Sequence, residues 1–215
     1  PTQIGYGSKV ASIDVNTSRS GLTTTNKSSD CYISGEGYFA VKDDAGSADY
    51  KYSRVGDFKF DDNGNLIDGT GKLVCGVNGT GSISGAPVPI QISGSLLGNL
   101  TNITFSSDGT ITAEDNTGTI QTIGMIALAN IPNPQGLTEV GDSYYKLSSN
   151  AGTPTYAAPG DPTVGSLVTG ALESSNVDLT DQLTQMIMAE RGFQANSKII
   201  TVGDEMLETL INMKR

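Results

Sequence analysis

The chain has 215 residues, 13 Lys plus Arg against 23 Asp plus Glu, no His, and a formal net charge of −10. That acid surplus repels the phosphates a nucleic-acid binder must neutralise and repels anionic membranes, while the lack of His removes Ser-His-Asp and Cys-His nucleophiles and most zinc sites. With 27 Gly, no Trp and 36% hydrophobic residues, the composition leans towards turns and small β-elements rather than an aromatic-walled pocket.

The length suffices for one or two domains. No apolar run approaches the roughly 18 residues of a membrane span, and no charged-then-apolar leader opens the sequence. The chain begins at Pro1 rather than Met, so a natural N-terminus is expected to lie upstream. Cys31 and Cys75 stand far apart and outside ligand-like spacing. They are expected as two free, partly buried thiols, with a single bridge as the alternative.

Three parts are expected: an extended segment over residues 1–24, an antiparallel β-domain over 25–165, and a connector with an amphipathic helix over 166–215. In the first, Val10, Ile13 and Val15 alternate with polar residues, which predicts an extended stretch with one or two edge strands. In the second, Tyr32-Ile33 and Tyr38 to Val41 flank Gly35-Glu36-Gly37, and Lys51 to Phe60 alternates around Tyr52, Val55 and Phe58. Turn signals recur at 61–65 before Leu66-Ile67, at Ser107-Asp108-Gly109 before Thr110 to Thr112, and at Asn116-Thr117-Gly118 before Thr119-Ile120. Short strands at this spacing predict a sandwich or barrel-like domain. Ile123 to Ile131 is nearly all apolar, as expected of a strand buried on both faces and ended by Pro132. Residues 150–170, rich in Gly, Pro, Ala, Ser and Thr, predict an extended connector.

The pattern then becomes helical from about 178 to 213, roughly 50 Å at 1.5 Å per residue. Ser174, Ser175 and Asn176 offer capping side chains; Asp178 and Asp181 begin the run, and Lys214 and Arg215 end it, complementing the helix dipole. Leu179, Leu183, Met186, Phe193, Ile200 and Leu207 recur mostly in steps of three, four or seven. A second row holds Ile187, Ile199, Val202, Met206, Leu210 and Met213. Such a stripe can lie across the chain's own sheet, pair in a coiled-coil dimer, or be buried by several neighbouring subunits. Gly192 and Gly203 each lower helicity by about 1 kcal/mol against Ala, so order would come from packing.

Signs of chemistry are sparse. Asp43-Asp44 and Asp61-Asp62 are adjacent carboxylates in turn-like contexts. Residues 61–65 lack the Gly and Glu a calcium loop needs, with Leu66 and Lys72 in those places. Neither catalytic, cofactor-binding nor metal residues are assigned. The Asn-X-Ser/Thr triplets at Asn16, Asn26, Asn78, Asn99 and Asn102 follow from composition.

Several segments resemble the bacterial flagellar hook and rod protein family. They are Gly170 to Leu179, Met186-Ile187, Arg191 to Lys198 and Asp204 to Leu207 at the C-terminal end, and Ile33 to Phe39, Tyr52 to Phe58 and Asp62 to Leu66 in the β-region. Asn133 to Leu137 and Gly141 to Tyr145 fit as well, and Pro1 to Gly5 with Val10 to Ile13 look most like the hook member. Cys31 departs from the aliphatic or small residue usual there.

The resemblance implies a helical homopolymer whose assembly interface is carried by Leu179, Leu183, Met186, Ile187, Phe193, Ile200, Met206, Leu207 and Leu210. It further implies pairing with an N-terminal helix not among these residues, so the sequence is expected to be a piece of a longer chain. Export through the flagellar type III channel to the cell exterior is implied, with hook cap, distal rod and hook–filament junction proteins as neighbours. The first reading is a hook subunit, part of a flexible joint that passes motor torque to the filament; the alternatives are a distal rod subunit and an extracellular β-rich adhesin.

Overall fold

The computed structural model describes residues 9–10, 16–83, 85–92 and 100–213. The expectations at Ile13, Val15, Asn99, Lys214 and Arg215 lie outside them. The fold class is mainly antiparallel β with one long C-terminal helix, and the chain divides into two compact units, Pro1–Ser174 and Ser175–Arg215.

The β-unit opens with β1 (Leu22–Thr24), β2 (Cys31–Ser34) and β3 (Tyr38–Lys42). Next come β4 (Lys51–Ser53), β5 (Phe58–Phe60), β6 (Leu66–Asp68), β7 (Leu73–Asn78) and β8 (Val88–Pro89). After them follow β9 (Leu100–Phe105), β10 (Thr110–Asp115), β11 (Ile120–Ile126) and β12 (Leu128–Asn130). A 3-10 turn at Pro134–Gly136 leads to β13 (Leu137–Gly141) and β14 (Tyr144–Leu147), then β15 (Thr155–Ala157), β16 (Ser166–Thr169) and β17 (Ala171–Glu173). Among the described residues, one large sheet runs β13-β14-β4-β3-β7-β11-β10-β9, with five further strands paired alongside; β16 pairs with β2 and β1 with β17.

Strand periodicity explains the core. Successive side chains point to opposite faces, so β3 sends Phe39 and Val41 into one apolar cluster and Tyr38 and Ala40 into another. β7 does the same with Val74 and Cys75, and β12 with Leu128 and Ala129. Phe39 meets Phe58 edge-on, ring centres 4.9 Å apart. Burying a side chain of this size contributes about 2 kcal/mol. Hairpin turns form where Gly109 and Gly118, at φ 80° and 79°, take the left-handed backbone. The buried Asp68 carboxylate fastens β6 to β14: it accepts the backbone N–H groups of Thr70 and Lys72 at 3.0 and 2.9 Å, and the Tyr144 hydroxyl.

Three sequence expectations change. The run from Lys51 to Phe60 is two strands, because Arg54 turns inward and Gly56 passes against β2; a Cβ there would lie 1.9 Å from the Cys31 carbonyl oxygen. Ile123 to Ile131 is buried as expected but breaks at Ala127, where the chain leaves β7 and β10 for β3 and β15. Residues 150–170 are more than a connector, since they contribute β15 and β16, whose partners lie far away in sequence.

Cys31 and Cys75 are free, as expected, and fully rather than partly buried. Cys31 acts as a small apolar filler beside Ile33 and Phe39, which gives its place in the sequence a physical account. Burial lifts both thiols from 9.0 up to about 12. The folded thiols stay protonated where unfolded ones ionise, so their contribution to stability is complete below pH 9 and falls as pH rises towards 12. A disulfide-exchange reagent at pH 8 should find no reactive thiol in the native chain and two after denaturation. Gly56→Ala should cost about 2 kcal/mol or more, read from the urea midpoint.

Candidate assembly interface

The second unit is α1 (Leu179–Met213), 35 residues or about 52 Å of helix. Its start is set by Asp178, whose Oδ1 accepts the backbone N–H of Thr180 at 2.8 Å and of Asp181 at 3.4 Å. Asp178 is thus the cap, in place of the expected Ser174, Ser175 or Asn176, and its charge lies at the positive end of the helix dipole. The hydroxyls of Thr184 and Thr209 donate to carbonyls one turn back, and Gln194 donates to Glu190 at 2.9 Å.

All nine residues expected at an interface lie on α1, and each is more than half exposed. A lone helix cannot cover its own stripe, and α1 buries none of its residues. The geometry resolves the two rows. Leu179, Met186, Phe193, Ile200 and Leu207 repeat every seven residues, so the seam drifts only roughly 20° per step. In the N-terminal half Leu183 and Ile187 widen this seam on one side. In the C-terminal half Ile199, Met206, Leu210 and Met213 widen it on the other. There a shallow, mostly apolar groove is lined by Ala195, Lys198, Ile199, Val202, Gly203 and Met206, where small residues permit close approach of another backbone. The sequence reading missed Met188 and Ile211, both exposed; Ile211 carries the signal of following Leu207 by four, whereas Met188 falls off the seam.

The β-unit offers little chemistry. Asp61 is spent on its own turn, accepting the N–H groups of Asn63 at 2.9 Å and Asn65 at 2.7 Å, as a hairpin requires. Asp43 pairs with Lys51 at 2.7 Å and Lys72 at 3.4 Å, and the Lys51 hydrogen bond holds its carboxyl below the usual range. Among the described residues no three His, Cys, Asp or Glu side chains converge as for a metal ion, and no helix is long and apolar enough to cross a membrane.

Comparison with known proteins matches one segment within the β-unit and a second that runs from β16 through α1. Residues 32–113 match the family described as flagellar hook protein FlgE/F/G D1 domain, and residues 168–213 match flagellar basal body rod FlgEFG protein C-terminal. The chain is similar to the flagellar basal-body rod protein FlgG of Bacillus subtilis, with 41% identity over 99% of this chain and 75% of that protein. It is similar to FlgG of Caulobacter vibrioides, with 32% identity over 99% of this chain and 74% of that protein. The flagellar hook protein FlgE of Treponema pallidum is 42% identical, over 57% of this chain and 26% of its own length.

The cap is open to a direct check. Asp178→Ala should cost about 1 kcal/mol of helix stability and lower the circular dichroism signal at 222 nm in the unassembled chain.

Proposed function

This chain belongs to the flagellar hook and rod protein family, and from that premise we propose that it is a subunit of the distal rod of the flagellar basal body, self-assembled into a helical tube. The observation that carries the rod reading over the hook reading is coverage. Similarity to rod proteins runs over 99% of the chain, whereas the hook protein matches 57% of it and the chain spans only 26% of that protein. The role is structural rather than enzymatic. Its place is then the basal body, not the extracellular hook of the first reading.

The mechanism starts from α1. Leu179, Leu183, Met186, Ile187, Phe193, Ile200, Met206, Leu207 and Leu210 would lose their exposure against helices of neighbouring copies. Because the seam is widened on one side by Leu183 and Ile187 and on both sides further along, where Leu210 and Ile211 flank Leu207, one straight neighbour cannot cover it, and more than one copy is needed. A heterologous contact that does not close into a ring extends into a filament.

Leu183→Asp or Leu207→Asp should abolish polymerisation of the full-length protein, seen by electron microscopy after concentration, while the urea midpoint of the β-unit stays unchanged. Tubes that form normally with both substitutions would remove the helix from the interface. Rod and hook readings separate in cells: the tagged protein should remain in basal bodies isolated from a strain without hooks, and loss of the signal there would restore the hook reading.

A further inference from the structure

The β1–β17 ribbon is too small to account for its own order. It holds three residue pairs, Leu22 with Glu173, Thr23 with Leu172 and Thr24 with Ala171, and every β1 residue is exposed. A two-stranded ribbon of that length is marginal in water at best. Its inner end is fixed by Gly170, whose carbonyl accepts the N–H groups of Thr25 and Asn26 at 2.9 and 3.2 Å and whose N–H donates to Asp30 at 2.8 Å.

At the outer end the Ser174 N–H donates to the Gly21 carbonyl at 2.9 Å and the Thr23 and Ser174 hydroxyls meet at 2.6 Å, but the tie from this end to the β-unit's interior is one carboxylate. Glu173 Oε2 accepts Arg54 Nε at 2.7 Å, and Oε1 accepts the Ser20 backbone N–H at 3.2 Å. The two side chains are largely out of water, Arg54 16% and Glu173 13% exposed. The guanidinium is fixed in turn: it donates to the carbonyls of Gly37 at 2.9 Å, Gly35 at 3.3 Å and Ile33 at 3.4 Å, and lies 5.7 Å from the Tyr38 ring centre. The carboxylate therefore joins the incoming segment at Ser20 and the outgoing strand β17 to a cation anchored on the β2–β3 turn. Charge-assisted bonds in dry surroundings are the strong ones, and losing one partner leaves the other buried and unpaired.

We infer that Glu173 is a latch that holds the β1–β17 ribbon shut on the β-unit at the point where the chain leaves for α1. The covalent path to α1 runs through β17 and Ser174, so tension along α1 reaches the β-unit at this latch. With the latch shut, the ribbon passes load to the anchored Arg54; with it open, β17 peels from β1 while the apolar clusters stay intact.

Hydrogen–deuterium exchange on the whole chain tests this. Glu173→Gln keeps the side chain's shape and removes its charge. It should speed exchange of the amides at 20–26 and 170–174 by about 10-fold, the size expected for one charge-assisted bond, and leave β3 and β7 unchanged. Glu173→Ala should do so by at least as much. Unchanged ribbon amides in both variants would overturn the latch. So would a uniform rise across the β-unit, which would make Glu173 a support of the whole unit rather than of the ribbon.

Discussion

A helix of 35 residues with an apolar seam along its length has no means of hiding that seam from water by itself. At about 2 kcal/mol for each large side chain left exposed, the penalty over nine such residues exceeds the net stability of an ordinary domain. The helical backbone adds little to offset this, because isolated helices are marginal and two glycines weaken this one further. In the assembly proposed above, order in α1 would come from contact with other helices. A subunit built this way is poorly defended as a monomer and would be better defended in a polymer.

The β-unit answers a different demand. Its central strand β3 separates two apolar clusters, and the same alternation in β7 and β12 keeps both clusters continuous across the sheet. The polar groups drawn inside are satisfied: Asp68 by its turn and Tyr144, Asp30 by Thr25 and Lys27, Arg54 by three carbonyls and Glu173. Asp68 and Arg54 are held in part by partners from distant parts of the chain, Tyr144 and Glu173, whereas Asp30 is held by neighbours within five residues.

Hook and rod proteins share these two parts, and the physics of the parts does not distinguish a flexible tube from a stiff one. What differs across the relatives is extent. A hook protein accommodates this chain's matching region within about a quarter of its length, so most of that protein lies elsewhere, whereas the rod proteins are matched along about three-quarters of theirs. The first reading favoured the hook from the opening segment, which lies largely outside the described residues, and the coverage of the rest weighs towards the rod.

The helix and its exposed apolar seam were legible in the sequence because a heptad repeat is a local signal, readable from spacing alone, as were the Gly- and Asn-marked hairpins around 64, 109 and 118. Composition and the missing His set aside most catalytic chemistry for the same reason. Three features needed the tertiary structure: the break at Gly56, the strands within 150–170, and the convergence of Ser20, Arg54 and Glu173. Each depends on residues up to 153 positions apart meeting in space. Sequence spacing records which face a side chain takes on its own element; it does not record which distant element closes over that face, because that is decided by the packing of the whole sheet.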